Sequence, residues 1–460
     1  MSIKNGGGKD GGEKDGETNR LSGRVRRYAR VGSSVGGLAT RMAGQRYLGM
    51  PTDSARNAAQ LSRALGGLKG PLMKVAQLLA TIPDGLPDAY IEELRALQSQ
   101  APAMGWAFVK RRMRSELGAD WRQRFEAFEQ DAAAAASLGQ VHRARSPDGR
   151  ALACKLQYPD MASTVEADLS QLKLIFGLYK RHDPSIDTRE ILRELTARLR
   201  EELDYRREAT HLRLFGEILE NEAGVHVPVV LPELGTGRLL TMTWLEGGPL
   251  LDATSQPQAA RNRIAENMFA AWYRPLYRHG VLHGDPHLGN YTIRADGSVN
   301  LLDYGCVRIL PAGFVQGVID LYRGVQRDDR AQLVHGFENW GFSGLSSEMV
   351  DALSIWAKYI YGPLTDDRVR LIDESGSGKF GGAVAAETHR EIRRLGGVTP
   401  PREFVLLDRS AIGLGSVFLH LGAKLNWHRA FEALIEGFDS EDLEHRQQEI
   451  LRRSGVPEAA

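Results

Sequence analysis

The sequence predicts an α+β fold of two lobes, in which a small strand-rich lobe precedes a larger helical lobe. Residues 125–157 alternate strand-like runs with short turns, and a Gly247-Gly248-Pro249 break separates the strands from the rest of the chain. Beyond the break the pattern is helical except for one hairpin. With 460 residues, the chain is long enough for two or three such units.

A helical extension is expected before the two lobes. We divide the chain into a tail over residues 1–20, the extension over 21–115, the strand-rich lobe over 116–246 and the helical lobe over 247–460. The tail is rich in glycine and in charges of both signs and has no apolar stretch, which is typical of disorder and not of a secretory signal.

Composition excludes several classes of protein. Lys and Arg number 59 and Asp and Glu 58, and this net charge of +1 is too balanced for a general nucleic-acid binder. The two cysteines, Cys154 and Cys306, exclude a disulfide framework and fit a reducing compartment. Because no segment reaches the roughly 18–20 apolar residues of a membrane span, we expect a cytoplasmic protein and read residues 410–423 as a buried helix.

Positive charge is concentrated just after the tail. Residues 21–63 contain eight arginines and one acid, Asp53, and their apolar residues recur at helical spacing. A basic amphipathic segment of this kind can lie on an anionic membrane, so the inner face of the cell membrane is a candidate contact. A solvated helix packed on its own domain, or a site for an acidic partner, remains an alternative.

The strongest chemical signal is HGDPHLGN at residues 283–290, followed by an Asp-Gly turn and by Asp303 in an Asp-Tyr-Gly sequence. Phosphoryl transfer needs a carboxylate near the acceptor and oxygen atoms that hold Mg²⁺ on the phosphates. Asp285 and Asn290 have the five-residue spacing of the kinase catalytic loop. A hairpin at the Asp-Gly turn would bring Asp303 to face Asn290. The ordered set therefore predicts a kinase-like site.

Single fragments of this set allow other readings. His283 and His287 are conceivable zinc ligands, although no third ligand has a suggestive spacing. Asp285 taken alone fits a helix cap, and Asp-Tyr-Gly taken alone fits a turn. The order of the whole set favours the kinase-like site.

Lys155 lies in the short apolar run Ala151–Gln157, which has the form of the strand lysine in kinases. A lysine buried there needs partners, and a phosphate and the helix residue Glu208 would satisfy it. Because strand side chains alternate, Cys154 is expected to face the core with no redox role.

Together these motifs resemble the UbiB/AarF atypical kinases, a family tied to ubiquinone biosynthesis, over roughly residues 25–420. Lys74 to Gln77 is similar to the family's Lys-x-Gly-Gln signature, and residues 132–140 (AAAAASLGQ) resemble its alanine-rich loop. Glu202-Leu203-Asp204 resembles its Glu-x-Asp motif. Family members usually have Gly where this chain has Ala76, and the added methyl removes room for the extension to approach the alanine-rich loop.

The resemblance implies a role for each residue of the site. Asp285 would be the catalytic aspartate, Lys155 would contact phosphates and pair with Glu208, and Asn290 and Asp303 would bind Mg²⁺. The helix from Lys74 would fold over the site, with Lys74 reaching Glu202 or Asp204, and residues 243–246 would form the adenine hinge. The other nucleotide-site residues implied are Gln77, Ala135, Ala136, Ser137, Thr243 and Leu245.

The expected function is therefore Mg²⁺-dependent binding of ATP or ADP with ATPase or atypical kinase activity, and by resemblance a role in ubiquinone or isoprenoid-lipid metabolism at a membrane. The chain reaches Pro311 and a helix soon after Asp303, so no platform for a peptide substrate is expected. Five consecutive alanines also restrict positive φ in the loop. Two alternatives stay open: a small-molecule kinase of the aminoglycoside or choline type, and a non-catalytic pseudokinase scaffold that senses nucleotide or lipid.

Overall fold

The computed structural model describes residues 104–135, 138–166, 201–374, 382–396 and 401–457, with single positions between 169 and 200. The tail and the arginine-rich segment lie outside the described residues. So do four expected nucleotide-site residues, Lys74, Gln77, Ala136 and Ser137.

The strands belong to one five-stranded sheet and two smaller sheets. In chain order they are β1 (Ala127–Phe128), β2 (Ala134–Ala135), β3 (Gly139–Arg145), β4 (Ala151–Gln157), β5 (Val225–His226), β6 (Leu239–Thr243), β7 (Val281–His283), β8 (Tyr291–Ile293), β9 (Val299–Leu301) and β10 (Val307–Ile309). The described helices are α1 (Trp106–Leu117), α2 (Tyr205–Ile218), α3 (Gln258–His279), α4 (Ala312–Arg327), α5 (Arg330–Asn339), α6 (Ser347–Tyr361), α7 (Gly382–Arg394), α8 (Arg402–Leu421), α9 (Trp427–Ile435) and α10 (Ser440–Ser454).

The strand-rich lobe is an antiparallel sheet in the order β1-β3-β4-β6, with β2 paired to β3. The β3–β4 turn requires Gly149, whose φ of 86° suits glycine. Cys154 of β4 is fully buried in the apolar core between the sheet and α1, whereas its neighbour Lys155 points to the opposite face. The alternation expected along this strand is therefore present.

The helical lobe holds the catalytic-loop sequence between short strands. β8 and β9 form the predicted hairpin, in which Tyr291 pairs with Leu301 and Gly297 takes a φ of 83° at the turn. The run 410–423 lies largely within α8, as expected. Within the described part of the chain, no helix has both the length and the apolar character needed to cross a membrane.

Two details of the sequence prediction were wrong. The apolar run at residues 227–231 predicts a strand, but only Val230 forms a β-bridge to the sheet, with Met242 of β6, because Pro228 lacks an N–H to donate. Beyond Pro249 the structure also contains a second ribbon besides the hairpin, in which β7 pairs with β10.

Candidate active site

Lys155 is the centre of a buried charge cluster between the two lobes. Its Nζ donates to Glu208 Oε1 over 2.6 Å and to Asp303 Oδ2 over 2.9 Å. Lys155 and Glu208 are only 8% and 4% exposed. Burial disfavours the charged lysine, but the carboxylates of Asp303 and Glu208 outweigh it and raise the pKa of Lys155 well above its usual value. The lysine is therefore a fixed cation at this point.

The helix α2 brings Glu208 to the lysine. Asp204 caps this helix by accepting from the backbone N–H groups of Arg206 and Arg207, at 3.0 and 3.4 Å. Glu208 follows one turn later and faces inward. The preceding turn places Glu202 against the Asp-Tyr-Gly segment, since a Cβ built on Gly305 would lie 3.7 Å from its Cγ.

The β7–β10 ribbon and the β8–β9 hairpin position Asp303. Its Oδ1 accepts from the Gly305 N–H over 3.0 Å, and its carbonyl oxygen lies 2.7 Å from His283 Nε2. Because the Asp285 N–H donates to His283 Nδ1 over 3.3 Å, the imidazole is the tautomer that carries its proton on Nε2. His283 thus joins the catalytic loop to the Asp-Tyr-Gly segment.

This geometry does not support zinc binding by the two histidines. Both ring nitrogens of His283 are engaged, and His287 accepts from the Gly289 N–H over 3.1 Å. Among the described residues no group of three or more His, Cys, Asp or Glu side chains could hold a metal ion.

Asp285 and Asn290 lie in the loop between β7 and β8. The Asn290 amide nitrogen donates to the Asp285 carbonyl over 3.0 Å, which turns its amide oxygen the other way. The Leu302 N–H donates to the Asn290 carbonyl over 2.8 Å, so the hairpin brings Asn290 beside the strand end that precedes Asp303. An amide oxygen and a carboxylate are oxygen ligands of the kind that Mg²⁺ prefers.

Asp285 pairs with a residue that the sequence analysis did not select. Arg409 of α8 donates from Nη2 to Asp285 Oδ1 over 2.7 Å, and both side chains are almost completely buried. The other terminal nitrogen, Nη1, is buried without a hydrogen-bond partner among the residues that the structure describes. The one signal available was the position of Arg409 immediately before the apolar run 410–423.

The alanine-rich segment is described on both sides of residues 136 and 137. Ala134 and Ala135 of β2 pair with Val141 and Gln140 of β3. Gly139 is required there, because a Cβ would lie 2.2 Å from the Leu156 carbonyl oxygen and 2.8 Å from the Tyr205 hydroxyl. The start of β3 is therefore held close to the strand of Lys155.

The expected hinge follows β6. The Thr243 N–H donates to the Val229 carbonyl, and the Thr243 hydroxyl accepts from the Val229 N–H, both over 2.9 Å. The Trp244 N–H donates to the Ala151 carbonyl over 2.8 Å. Within the described residues the Leu245 backbone makes no such bond.

The chain is similar to known proteins with a kinase-like domain. Residues 96–336 match the model of the ABC1 atypical kinase-like domain. The chain is 25% identical to the yeast protein named atypical kinase COQ8, mitochondrial (Saccharomyces cerevisiae), over 83% of this chain and 77% of that protein. It is 28% identical to atypical kinase COQ8B, mitochondrial, of Rattus norvegicus, over 88% and 75%.

Two further matches reach beyond these mitochondrial relatives. The chain is 32% identical to the chloroplastic protein ACTIVITY OF BC1 COMPLEX KINASE 7 of Arabidopsis thaliana, over 58% of this chain and 39% of that protein. Among solved structures, the Rv3197–erythromycin complex from Mycobacterium tuberculosis matches with a TM-score of 0.58 and 27% identity, over 83% of this chain and 96% of that one. The chain therefore belongs to the UbiB family of ABC1 atypical kinase-like proteins.

Proposed function

We propose that this protein binds Mg²⁺ with ATP or ADP between its two lobes and acts as an ATPase or atypical kinase. The observation that carries the proposal is the buried lysine that contacts both Glu208 and Asp303. A charged lysine between the two lobes is suited to contact phosphate oxygens of the nucleotide. Its two ion pairs also link the strand-rich lobe to the Asp-Tyr-Gly segment of the helical lobe. Glu208 then orients the lysine, and Asp303 is the carboxylate nearest the phosphates.

The oxygen atoms of Asn290 and Asp303 are suitable ligands for Mg²⁺. We assign it to the Asn290 amide oxygen and the Asp303 carboxylate, because the Asn290 nitrogen is already committed to the Asp285 carbonyl. When bound, the ion neutralises charge on the phosphates. His283 keeps Asp303 in register with the loop through its bond to the Asp303 carbonyl.

Asp285 and Arg409 would act on the reacting phosphate together. The Asp285 carboxylate orients the attacking hydroxyl or water, while the Arg409 guanidinium supports the carboxylate through Nη2. The buried Nη1 of Arg409 then offers a donor to a phosphoryl oxygen, which would stabilise the charge that develops during transfer. A buried donor needs such an acceptor.

The acceptor we favour is water or a small or lipid-like molecule. Between Gly305 and the start of α4 at Ala312 the chain forms only β10 and a short connection, which leaves no long segment to bind a peptide. By the family's link to ubiquinone, the task proposed is to support ubiquinone or isoprenoid-lipid metabolism at a membrane, with a lipid or isoprenoid as a further ligand. Residues 21–63 would supply the peripheral contact with the membrane.

Nucleotide binding is tested by thermal shift with Mg²⁺-ADP, with and without EDTA. A ligand at about a hundred times its Kd should stabilise the fold by roughly 2.7 kcal/mol. Asp303→Asn should abolish the Mg²⁺-dependent part of the shift, whereas Asp328→Asn, the same change at an exposed carboxylate, should leave it intact. An equal shift in wild type and Asp303→Asn would overturn the site.

Turnover and membrane contact need a second experiment. ATP hydrolysis measured with and without anionic liposomes should fall at least about a hundredfold in Asp285→Asn. Activity that is unaffected would favour the pseudokinase scaffold, and activity that depends on a hydroxylated small molecule would favour the small-molecule kinase.

Gln in place of Arg24, Arg26, Arg27 and Arg30 should weaken co-sedimentation with the liposomes, and unchanged binding would remove the membrane role of this segment.

A further inference from the structure

The helical lobe contains a cavity of about 80 Å³ that is separate from the charge cluster of Lys155. It lies among α3, α4, α5, α6, α8 and α9, and its walls are almost wholly apolar and largely aromatic. A water molecule needs roughly 10–15 Å³ of such space, so the cavity can hold a molecule of several heavy atoms. The aromatic wall residues include Trp356, Tyr361, Phe404, Phe418 and Phe431.

One wall residue is a carboxylate. Asp408 of α8 lines the cavity, and Trp356 donates to its Oδ1 from Nε1 over 2.6 Å. Burial raises the pKa of Asp408 to about 7, and the indole bond only partly offsets this effect. Arg409, the adjacent cation in the sequence, points instead to Asp285. The cavity thus combines aromatic faces with a carboxyl group that no cation among its described wall residues stabilises.

This chemistry suits a particular class of ligand. Aromatic faces attract a cation, and a carboxylate in apolar surroundings forms a strong charge-assisted hydrogen bond with an ammonium group. A hydrocarbon would gain nothing from Asp408, and an anion would be repelled. We propose that the cavity binds a small apolar amine, with its ammonium group held by Asp408 and its carbon skeleton against the aromatic wall.

The position of the cavity suggests what such a ligand does. Asp408, Arg409 and Ser410 are consecutive on α8, where Asp408 lines the cavity and Arg409 binds Asp285. The Ser410 hydroxyl donates to the His283 carbonyl over 3.1 Å. An amine bound to Asp408 therefore contacts the same turn of helix that holds the catalytic loop. The ligand is an effector of nucleotide binding, an inference that rests on the proposed function, whereas the binding of the amine does not.

The test of binding compares two isosteric probes, cyclopentylamine and cyclopentanol, by calorimetry on the full chain without nucleotide. We expect the amine to bind at least about tenfold more tightly than the alcohol. Asp408→Asn, which keeps the shape and the bond from Trp356, should remove this preference. Ala411→Leu, which fills the cavity from α8, should abolish binding of both probes, and Ala411→Val replaces it if the leucine variant does not fold.

Several results would overturn the site. They are no binding of the amine at millimolar concentration, equal binding of the two probes, or binding that survives in both Asp408→Asn and the cavity-filling variant. The effector role is tested by the affinity for Mg²⁺-ADP with and without saturating cyclopentylamine, where we expect at least a threefold change that Asp408→Asn removes. Unchanged affinity would overturn this role alone, and absence of any Mg²⁺-ADP binding would refute the proposed function while leaving the amine titration decisive for the cavity.

Discussion

Arg409 and Asp285 form a buried ion pair of 2.7 Å, although they are 124 residues apart in the sequence. Their side chains are 10% and 6% exposed. The same stretch of α8 contacts the catalytic loop again at Gly413, where a Cβ would lie 2.3 Å from Pro286 Cγ. One helix, α8, therefore contacts the catalytic loop at both Asp285 and Pro286. A shift of the Asp285 side chain would require a shift of this helix.

The first prediction concerns the stability of this pair. Arg409→Met should lower the free energy of unfolding by about 3–5 kcal/mol, because it removes the cation beside a buried carboxylate. Adding Asp285→Asn should restore part of the loss, since the charge that needed the arginine is gone. Urea unfolding of the two single variants and the double variant measures the coupling, and strictly additive losses would show that the pair is not an energetic unit.

The second prediction concerns Lys155. Lys155→Met leaves the carboxylates of Glu208 and Asp303 close together in a buried place, so we expect a loss of about 3 kcal/mol. The double variant Lys155→Met with Glu208→Leu should recover more than half of this loss and still fail to bind nucleotide. Urea unfolding and Mg²⁺-ADP titration give the two values. Recovery of nucleotide binding in the double variant would contradict the phosphate-contacting role of the lysine.

The parts of the fold that the sequence could predict are those that depend on patterns of neighbouring residues. The Asp-Gly turn predicts the β8–β9 hairpin because only a residue that tolerates positive φ suits Gly297. Strand alternation likewise predicts that Cys154 and Lys155 face opposite sides of β4. These features depend on local geometry, which a short stretch of sequence determines.

The parts that escaped prediction depend on distant contacts or very short elements. The strands β7 and β10 have three residues each, too few for an alternating pattern to be recognised. In the sequence, nothing distinguishes Arg409 from any other arginine in the first half of a helix. Its partner Asp285 comes close to it only in the folded protein. Pairings of this kind cannot be inferred from one sequence, because nothing near the arginine marks its partner.

The third prediction concerns the alanine-rich loop. Gly139→Ala should destabilise the strand-rich lobe by about 1–3 kcal/mol and weaken nucleotide binding, because its Cβ collides with the Leu156 backbone beside Lys155. Gly313→Ala is the matched control, since its Cβ meets nothing within 4 Å. Thermal unfolding and Mg²⁺-ADP titration distinguish the two. Equal stability of both variants would show that the sheet relaxes around the added methyl.

The fourth prediction concerns pH and Asp408. Its folded-state pKa of about 7 lies above the ordinary value of 3.8, so the folded state keeps a proton that the unfolded state releases as the pH rises. The contribution of Asp408 to stability is therefore greatest in acid and is lost progressively up to about pH 7. Asn at this position does not titrate.

The free energy of unfolding of Asp408→Asn relative to wild type should consequently rise by about 2 kcal/mol between pH 5 and pH 7.5. Urea unfolding at the two pH values measures it, with Asp328→Asn as the exposed control that should show a far smaller change. A difference that does not vary with pH would mean that Asp408 is already ionised at pH 5. The cavity would then hold a permanent carboxylate, and a bound amine would gain its ion pair equally well at both pH values.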